Sequence, residues 1–283
     1  MKHINEIIER ELDEEITSLK RCSGGSINEV VECRTNNHHL VLKINDAEQF
    51  PKMFEKEVKG LHLLRSSSFR IPKVLKQGLY QNWSFLILEF IDCKGANINV
   101  NLLGHKLAEM HTMTAKNFGL EHNNYIGSIS QKNNPKKNWC SFYQERRLEP
   151  LVKTSFNQGW LDRLDLLLFE KLYLELENLI PKEVPALLHG DLWQGNIICD
   201  KDSMPVLIDP AVYYGHREMD LAMLLMFGSI SAQTMDAYNS IYPIEKNWKS
   251  RTDIHQLYPL LVHLVLFGGS YLGAVKKTVR KYS

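Results

Sequence analysis

An α+β chain of two unequal lobes, a small antiparallel sheet with one helix followed by a larger and mostly helical body, is the architecture this sequence predicts. Three observations carry the prediction. Short β-type runs fill the first third: "EVVECRT" (29–35), "HLVLKIN" (39–45) and "WSFLILEFI" (83–91), broken by one helical segment near 52–65. Past residue 92 the texture changes to long helical patterns at 101–116, 139–154, 161–180, 217–228 and 252–280, with one β-like interruption, "NIICDKDSMPVLID". Neither an internal repeat nor a low-complexity linker separates the two textures. Residues 1–91 and 92–283 therefore read as lobes sharing an interface, and the cleft between them is the natural place for a site.

In the first lobe, the strand over 39–45 points Leu40, Leu42 and Ile44 to one face and Val41 and Lys43 to the other. On the following helix Phe54, Glu57, Leu61 and Leu64 share a face, which turns Glu57 inward and leaves Glu55 in solvent. A buried carboxylate requires a partner, and Lys43 is the obvious one. "CSGGSINEVVE" places Gly24 and Gly25 at a turn, where glycine lets backbone come close to a ligand.

In the second lobe, Ile197–Cys199 and Val206–Ile208 read as two short strands joined by the turn-rich "DKDSMP". A hairpin brings its open ends together, so Asn196 and Asp209 should be neighbours although thirteen positions apart. An amide oxygen beside a carboxylate is a hard-oxygen pair suited to Mg²⁺ that takes its other ligands from phosphates and water. Asp191, five residues before Asn196 on the entering loop, sits near the metal and remains free to face a substrate.

The string His189-Gly190-Asp191-(x4)-Asn196, with a second acid at Asp209, matches the H-R-D-x-x-x-x-N…D template of protein kinases. Gly190 stands where that template has an arginine that reads a phosphorylated loop, and no A-P-E follows Asp209, which points to a small-molecule kinase. In such an enzyme Lys43, braced by Glu57, grips the α/β-phosphates of ATP. The backbone of Glu89, Phe90 and Ile91 then forms the hinge that binds adenine.

The chain resembles the fructosamine/ketosamine-3-kinase family, relatives of aminoglycoside and choline phosphotransferases with a protein-kinase-like fold. The resemblance rests on "GGSIN" (24–28), "MFEKEVKGL" (53–61), "LGHKLAEMH" (103–111), "FGLEHNNYIGSISQKN" (118–133), "NWCSFYQERRLEP" (138–150), "LLHGDLWQGN" (187–196), "YYGHREMDLAMLLMFG" (213–228) and "LFGGSYL" (266–272). It implies ATP-dependent phosphorylation of the 3-hydroxyl of a ketosamine, small or protein-attached, in a deglycation or protein-repair role. It also implies an ATP-covering loop at Gly24, Gly25, Ser26, Ile27 and Asn28, where some relatives carry a cysteine in place of Ser26. Asp191 is expected to orient the acceptor hydroxyl and take its proton, with Asn196 and Asp209 holding Mg²⁺. His189 and Asp220 are expected to support the catalytic loop. Trp193, Trp139, Arg146 and Tyr213 are candidate substrate contacts, although Trp193 and Tyr213 read equally as packing and Arg146 as a surface ion pair with Glu145 or Glu149.

Composition excludes other classes. With 34 basic and 33 acidic residues the net charge is +1, too small for a nucleic-acid groove or a polybasic membrane anchor. Five scattered cysteines with no C-x-x-C pair suggest a reducing cytosol rather than a disulfide scaffold or a zinc site. No apolar run reaches the ~18 residues of a membrane span, and the acidic N-terminal stretch lacks a signal-peptide core. The expectation is a cytoplasmic, monomeric kinase. The alternatives are a kinase for an aminoglycoside, choline or sugar, and a non-catalytic nucleotide-binding module.

Overall fold

A computed structural model describes residues 2–22, 27–93 and 97–283. The N-terminal part is a five-stranded antiparallel sheet: β1 (Ser18–Arg21), β2 (Glu29–Arg34), β3 (His39–Asp46), β4 (Val74–Tyr80) and β5 (Trp83–Glu89), in the order β1-β2-β3-β5-β4. Two helices cover it rather than the one expected. The N-terminal stretch forms α1 (Lys2–Leu12), whose Ile4, Ile7 and Ile8 are fully buried against Val31, Cys33, Leu40, Leu42, Ile44 and Phe85. Each such isoleucine contributes ~1.5–3 kcal/mol by leaving water. The other sheet face meets α2 (Met53–Leu64), where Phe54, Val58, Leu61 and Leu64 pack with Leu86 and Leu88. The period-two alternation of β3 thus sends three aliphatic side chains to α1 and Lys43 toward α2.

The remainder is mostly helical: α3 (Val100–Thr112), α4 (Trp139–Phe142), α5 (Glu149–Asn157), α6 (Arg163–Leu179), α7 (Glu218–Met226), α8 (Ala232–Ile241), α9 (Thr252–Phe267) and α10 (Leu272–Tyr282). Helix starts follow their caps. Asn99, Asn138 and Ser231 accept from the third residue on, and Asp162 with Asp165 makes a reciprocal capping box. Helices α3 and α8 cross closely because Gly104 has no side chain: a Cβ there would lie 2.2 Å from the Thr234 carbonyl oxygen. The pattern over 252–280 is two helices, since Gly268 at φ +85° ends α9 and a 3₁₀ turn follows. Between α4 and α5, Tyr143–Leu148 is π-helical, so 139–154 is not one regular helix.

Three short antiparallel pairs serve the site: β6 (Asn124–Ile126) with β7 (Ile129–Gln131), β8 (Ala186–Leu188) with β11 (Tyr213–Gly215), and β9 (Ile197–Cys199) with β10 (Pro205–Leu207). Several contacts tie the sheet region to the helical body. Arg70 Nη1 reaches Asp200 Oδ2 at 2.6 Å, and Tyr125 Oη donates to the Pro51 carbonyl at 3.1 Å.

Candidate active site

Strand β8 delivers the chain into His189-Gly190-Asp191. The His189 ring is fully buried, its Nε2 donating to the Ile208 carbonyl at 2.9 Å and its Nδ1 accepting from the Asp191 N–H at 3.3 Å. Burial holds this imidazole below its usual pKa, in the neutral form that the two bonds require. Gly190 adopts φ +82°, and a Cβ there would sit 2.2 Å from the Ala211 carbonyl oxygen, so no other residue fits. Both carboxylate oxygens of Asp220, on α7, clamp the bend by accepting from the His189 N–H at 2.8 Å and the Gly190 N–H at 3.0 Å.

The β9–β10 hairpin closes as its turn residues predict. The Ile208 N–H donates to the Asn196 carbonyl at 3.1 Å, which sets Asn196 and Asp209 side by side. Asn196 Nδ2 donates to the Asp191 carbonyl at 2.8 Å and to Asp191 Oδ2 at 3.0 Å. Its Oδ1 accepts nothing among the described residues and is available as a ligand. Asp209 has φ +53°, a left-handed conformation costly for a non-glycine residue and common at functional positions. Burial, with the Asp209 and Asp220 carboxylates adding to it, pushes Asp191 up to about 7, against the Asn196 hydrogen bond.

Lys43 meets this cluster from the sheet side. Its Nζ lies 2.7 Å from Glu57 Oε1 and 3.0 Å from Asp209 Oδ1. Burial alone would lower the lysine pKa, but the two carboxylates hold it above the ordinary value, so it is charged. Asn196 and Asp209, an amide and a carboxylate, stand side by side next to this cation, and both line the cleft. That donor set fits a hard divalent ion such as Mg²⁺.

Two cavities meet at Lys43 and Asp209. One of about 610 Å³ runs beneath the sheet, between Val41, Leu88 and Ile208, and ends at the backbone of Glu89, Phe90 and Ile91. Along this edge the Glu89 N–H is taken by the Lys73 carbonyl and the Phe90 N–H by the His39 carbonyl. The Ile91 N–H has no partner among the described residues, so of these three it is the backbone donor left open to the cavity. The second cavity, about 290 Å³, is bounded by Asn28, Asn124, Asp191, Trp193, Phe227 and His263. Of the two, Asp191 borders only this one.

Several sequence-predicted contacts lie elsewhere. Trp139 is buried among Phe118, Phe142, Tyr143 and His216 and belongs to the hydrophobic core, where its indole fills the space behind β11. Tyr213 is also fully buried and borders a small interior cavity under Gly190 and Asp191, not the open cleft. Arg146 pairs with Glu145 at 3.2 Å and reaches neither large cavity. Trp193 does face the second cavity, 40% exposed and edge-on to Phe227. Gly24, Gly25 and Ser26 lie outside the described residues, while Ile27 and Asn28 border the second cavity. Missed in the sequence were Asn124, Phe227 and His263 on the cavity wall. "NNYIGS" and "LLVHLVLFGG" were the only signals, and neither carries a spacing that marks a site.

One further group of potential ligands, His216, Glu218 and His255, converges within 4.8 Å. Arg251 occupies both oxygens of Glu218, at 2.8 and 2.5 Å, so the cluster is an ion-pair network pinning α7 to α9.

Comparison with known proteins shows the family of the chain. The fructosamine kinase family model matches residues 1–283. A protein assigned as a ketoamine kinase in Enterococcus faecium is 37% identical over 92% of this chain and 93% of its own length. Protein-ribulosamine 3-kinase of Arabidopsis thaliana, a chloroplastic protein, is 36% identical over 95% of this chain and 83% of its own. A crystal structure described as a fructosamine-3-kinase from Thermobifida fusca superposes with a TM-score of 0.88 at 32% identity, over 99% of this chain and 98% of that one. An ADP-bound aminoglycoside phosphotransferase, 17% identical with a TM-score of 0.66 over 98% and 96% of the two chains, shares the fold. Full-length coverage, conserved architecture and identity above 30% together place this chain in the fructosamine kinase family.

Proposed function

We propose that the protein is an ATP-dependent kinase that phosphorylates the 3-hydroxyl of ketosamines, the sugar–amine adducts formed by glycation. The observation that carries the reading is the placement of Asp191. Of the two large cavities it borders the smaller and not the larger, while Lys43 and Asp209 stand where the two join under the sheet. A phosphoryl group held at the junction from the nucleotide side meets a hydroxyl held by Asp191 from the other.

In this reading adenine lies against the hinge at Ile91, and Lys43, fixed by Glu57, neutralises the α/β-phosphates. Asn196 and Asp209 would hold Mg²⁺, which supplies charge neutralisation on the phosphoryl oxygens as ADP departs. Asp191 aligns the acceptor oxygen for in-line attack on the γ-phosphorus and takes the hydroxyl proton late, as the new P–O bond forms and the bond to ADP breaks. The transition state is loose, so alignment and charge neutralisation dominate over base strength. Trp193 offers an indole face to the sugar. His189 and Asp220 hold the loop and touch no substrate. The boundary near residue 91 then separates a nucleotide-binding unit from a catalytic and acceptor-binding one.

The smaller cavity argues against an aminoglycoside acceptor. Its carboxylates are Glu57, Asp191 and Asp209, all engaged by Lys43 or Asn196, and the opposite wall is Met223, Phe227, Val262 and Leu266. A polycation would find no carboxylate there beyond those already serving Lys43 and Asn196. A non-catalytic nucleotide module is opposed by the intact Lys43, Glu57, Asp191, Asn196 and Asp209 set. The five cysteines are scattered and form no C-x-x-C pair, which supports a reducing compartment. No helix among the described residues is long and apolar enough to cross a membrane.

The deciding experiment is an acceptor panel in a coupled ADP-release assay, with mass-spectrometric location of the phosphate. Ribulosyl-lysine or fructosyl-lysine should be phosphorylated at the sugar 3-oxygen. Turnover of choline or kanamycin without turnover of either ketosamine would overturn the proposal.

A further inference from the structure

The largest fully buried side chain among the described residues is a cation, Arg147, at 0% exposure. No carboxylate among the described residues forms an ion pair with it. Burying such a charge unpaired costs several kcal/mol unless other groups compensate. Here three rings and three oxygens do. The guanidinium carbon lies 4.0 Å from the Tyr213 ring centre, 4.6 Å from Phe142 and 5.4 Å from Tyr258. Nη1 donates to the Lys132 carbonyl at 2.6 Å and the Arg146 carbonyl at 3.3 Å, and Nη2 to Asn133 Oδ1 at 2.7 Å. The π-helical turn makes this possible. The Glu149 N–H reaches back to the Gln144 carbonyl, five residues away, and the extra residue turns Arg147 inward while Arg146 stays at the surface.

The fork continues into a polar chain that ends beside the metal-site acid. Asn133 Nδ2 donates to Asn124 Oδ1 at 2.8 Å, and Asn124 Nδ2 donates to the Val212 carbonyl at 2.8 Å. Gln131 Nε2 bridges Asn124 Oδ1 and the Ala211 carbonyl at 2.8 and 3.1 Å, and Tyr258 Oη donates to Gln131 Oε1 at 2.6 Å. Residues 211–213 are thus gripped from one side by amides and from the other by the Arg147–Tyr213 stack. That segment immediately follows Asp209, whose left-handed φ persists only if its surroundings hold it.

We propose that Arg147 is a positioning residue for phosphoryl transfer: through Asn133, Asn124 and Tyr213 it fixes segment 210–213 and so aims the Asp209 carboxylate at the phosphate-bound metal. This rests on the assignment of Asp209 as a metal ligand. Arg147 itself touches neither nucleotide nor acceptor.

The test uses the full chain, with Mn²⁺ as probe counted by electron paramagnetic resonance in the presence of ADP, beside turnover and thermal unfolding. Arg147→Lys keeps the charge but loses the planar fork that spans Lys132 and Asn133. It should raise the Mn²⁺ dissociation constant and the half-saturating Mg²⁺ concentration about tenfold and lower kcat about tenfold or more, with the acceptor KM within about twofold. Asn124→Ala, at the far end of the chain of amides, should weaken Mn²⁺ in the same direction and keeps the inference readable if the lysine variant does not fold. Variants that melt earlier yet bind Mn²⁺ and turn over like the parent would show Arg147 to be packing alone and overturn the proposal. Asp209→Asn is the reference. Loss of Mn²⁺ binding there upholds the metal assignment, whereas parental Mn²⁺ affinity removes that assignment and the proposal with it, a failure distinct from one seen only at Arg147.

Discussion

Replacing Asp220 by asparagine changes one atom in a buried clamp, and its cost is open to calculation. The carboxylate accepts through Oδ1 from Gly190 and through Oδ2 from His189, with His111 Nε2 also 3.4 Å from Oδ2. An amide has one acceptor oxygen. In either flip its NH₂ faces a backbone N–H, so one charge-assisted bond worth about 1.5–3 kcal/mol disappears and one buried donor is orphaned at a further cost of about 1–3 kcal/mol. Partial relaxation of the loop leaves a net loss of about 3–4 kcal/mol, equivalent to a fall in Tm of about 6–12 °C for a chain of this size. The same relaxation displaces Asp191, so kcat should fall about 100-fold while nucleotide affinity changes less than about threefold. Differential scanning calorimetry, steady-state turnover and calorimetric titration with a non-hydrolysable ATP analogue measure the three quantities. A variant with Tm within about 1 °C and kcat within about twofold of the parent would refute the clamp.

Asp191→Asn should lower kcat about 10²–10⁴-fold and leave the ATP-analogue dissociation constant within about threefold, because the side chain borders the smaller of the two large cavities and not the larger; unchanged turnover would remove it from the chemistry. Trp193→Ala, at a 40% exposed position, should raise the acceptor KM about tenfold with Tm moving less than about 1 °C, and an unaltered KM would assign the indole to packing. Acid should destabilise the fold in two stages. His216 is pushed down to about 4 from 6.5 by burial and by neighbouring His255, so unfolding frees a proton-binding site; its contribution is intact above pH 6.5 and drains as the pH falls toward 4. Burial opposes the charge on Glu218, but His255 and Arg251 hold its pKa at about 2, so its contribution is complete above pH 4.5 and drains below that. A Tm that is flat between pH 7 and about 4.5 would contradict the first stage, and a parental profile for His216→Asn would contradict its assignment.

Much of the nucleotide-side geometry was legible because two periodicities each left one polar residue on an apolar face. Period two put Lys43 opposite Leu40, Leu42 and Ile44, and period 3.6 put Glu57 beside Phe54 and Leu61, so their 2.7 Å contact followed from burial cost. The hairpin that joins Asn196 to Asp209 was legible from its turn residues, and the loop-anchoring position of Asp220 from its place after the hairpin. The acceptor side was not. An aromatic residue fills a core or lines a cavity with the same composition, so Trp139 and Tyr213 carried no mark of their burial. That Arg146 stays partly exposed while its neighbour Arg147 turns inward depends on the π turn, which leaves no compositional trace. Strands β1 and β4 were hidden because they are edge strands with polar outer faces, "SLKR" and "VLKQGLY". Helix α1 was visible as an amphipathic stretch, but nothing in its charge pattern told which surface its isoleucines would cover.

The contact of Lys43 with Asp209 has an implication for how the enzyme loads. The ammonium stands beside the carboxylate proposed to hold the metal, and its charge offsets the repulsion among Asp191, Asp209 and Asp220 at the foot of the groove. On the proposed reading, loading would be an exchange of counter-charges, with Lys43 turning to phosphate and Asp209 to the ion. Free divalent metal would have to evict an amine already in residence, so the ion should enter as a passenger on the triphosphate rather than ahead of it.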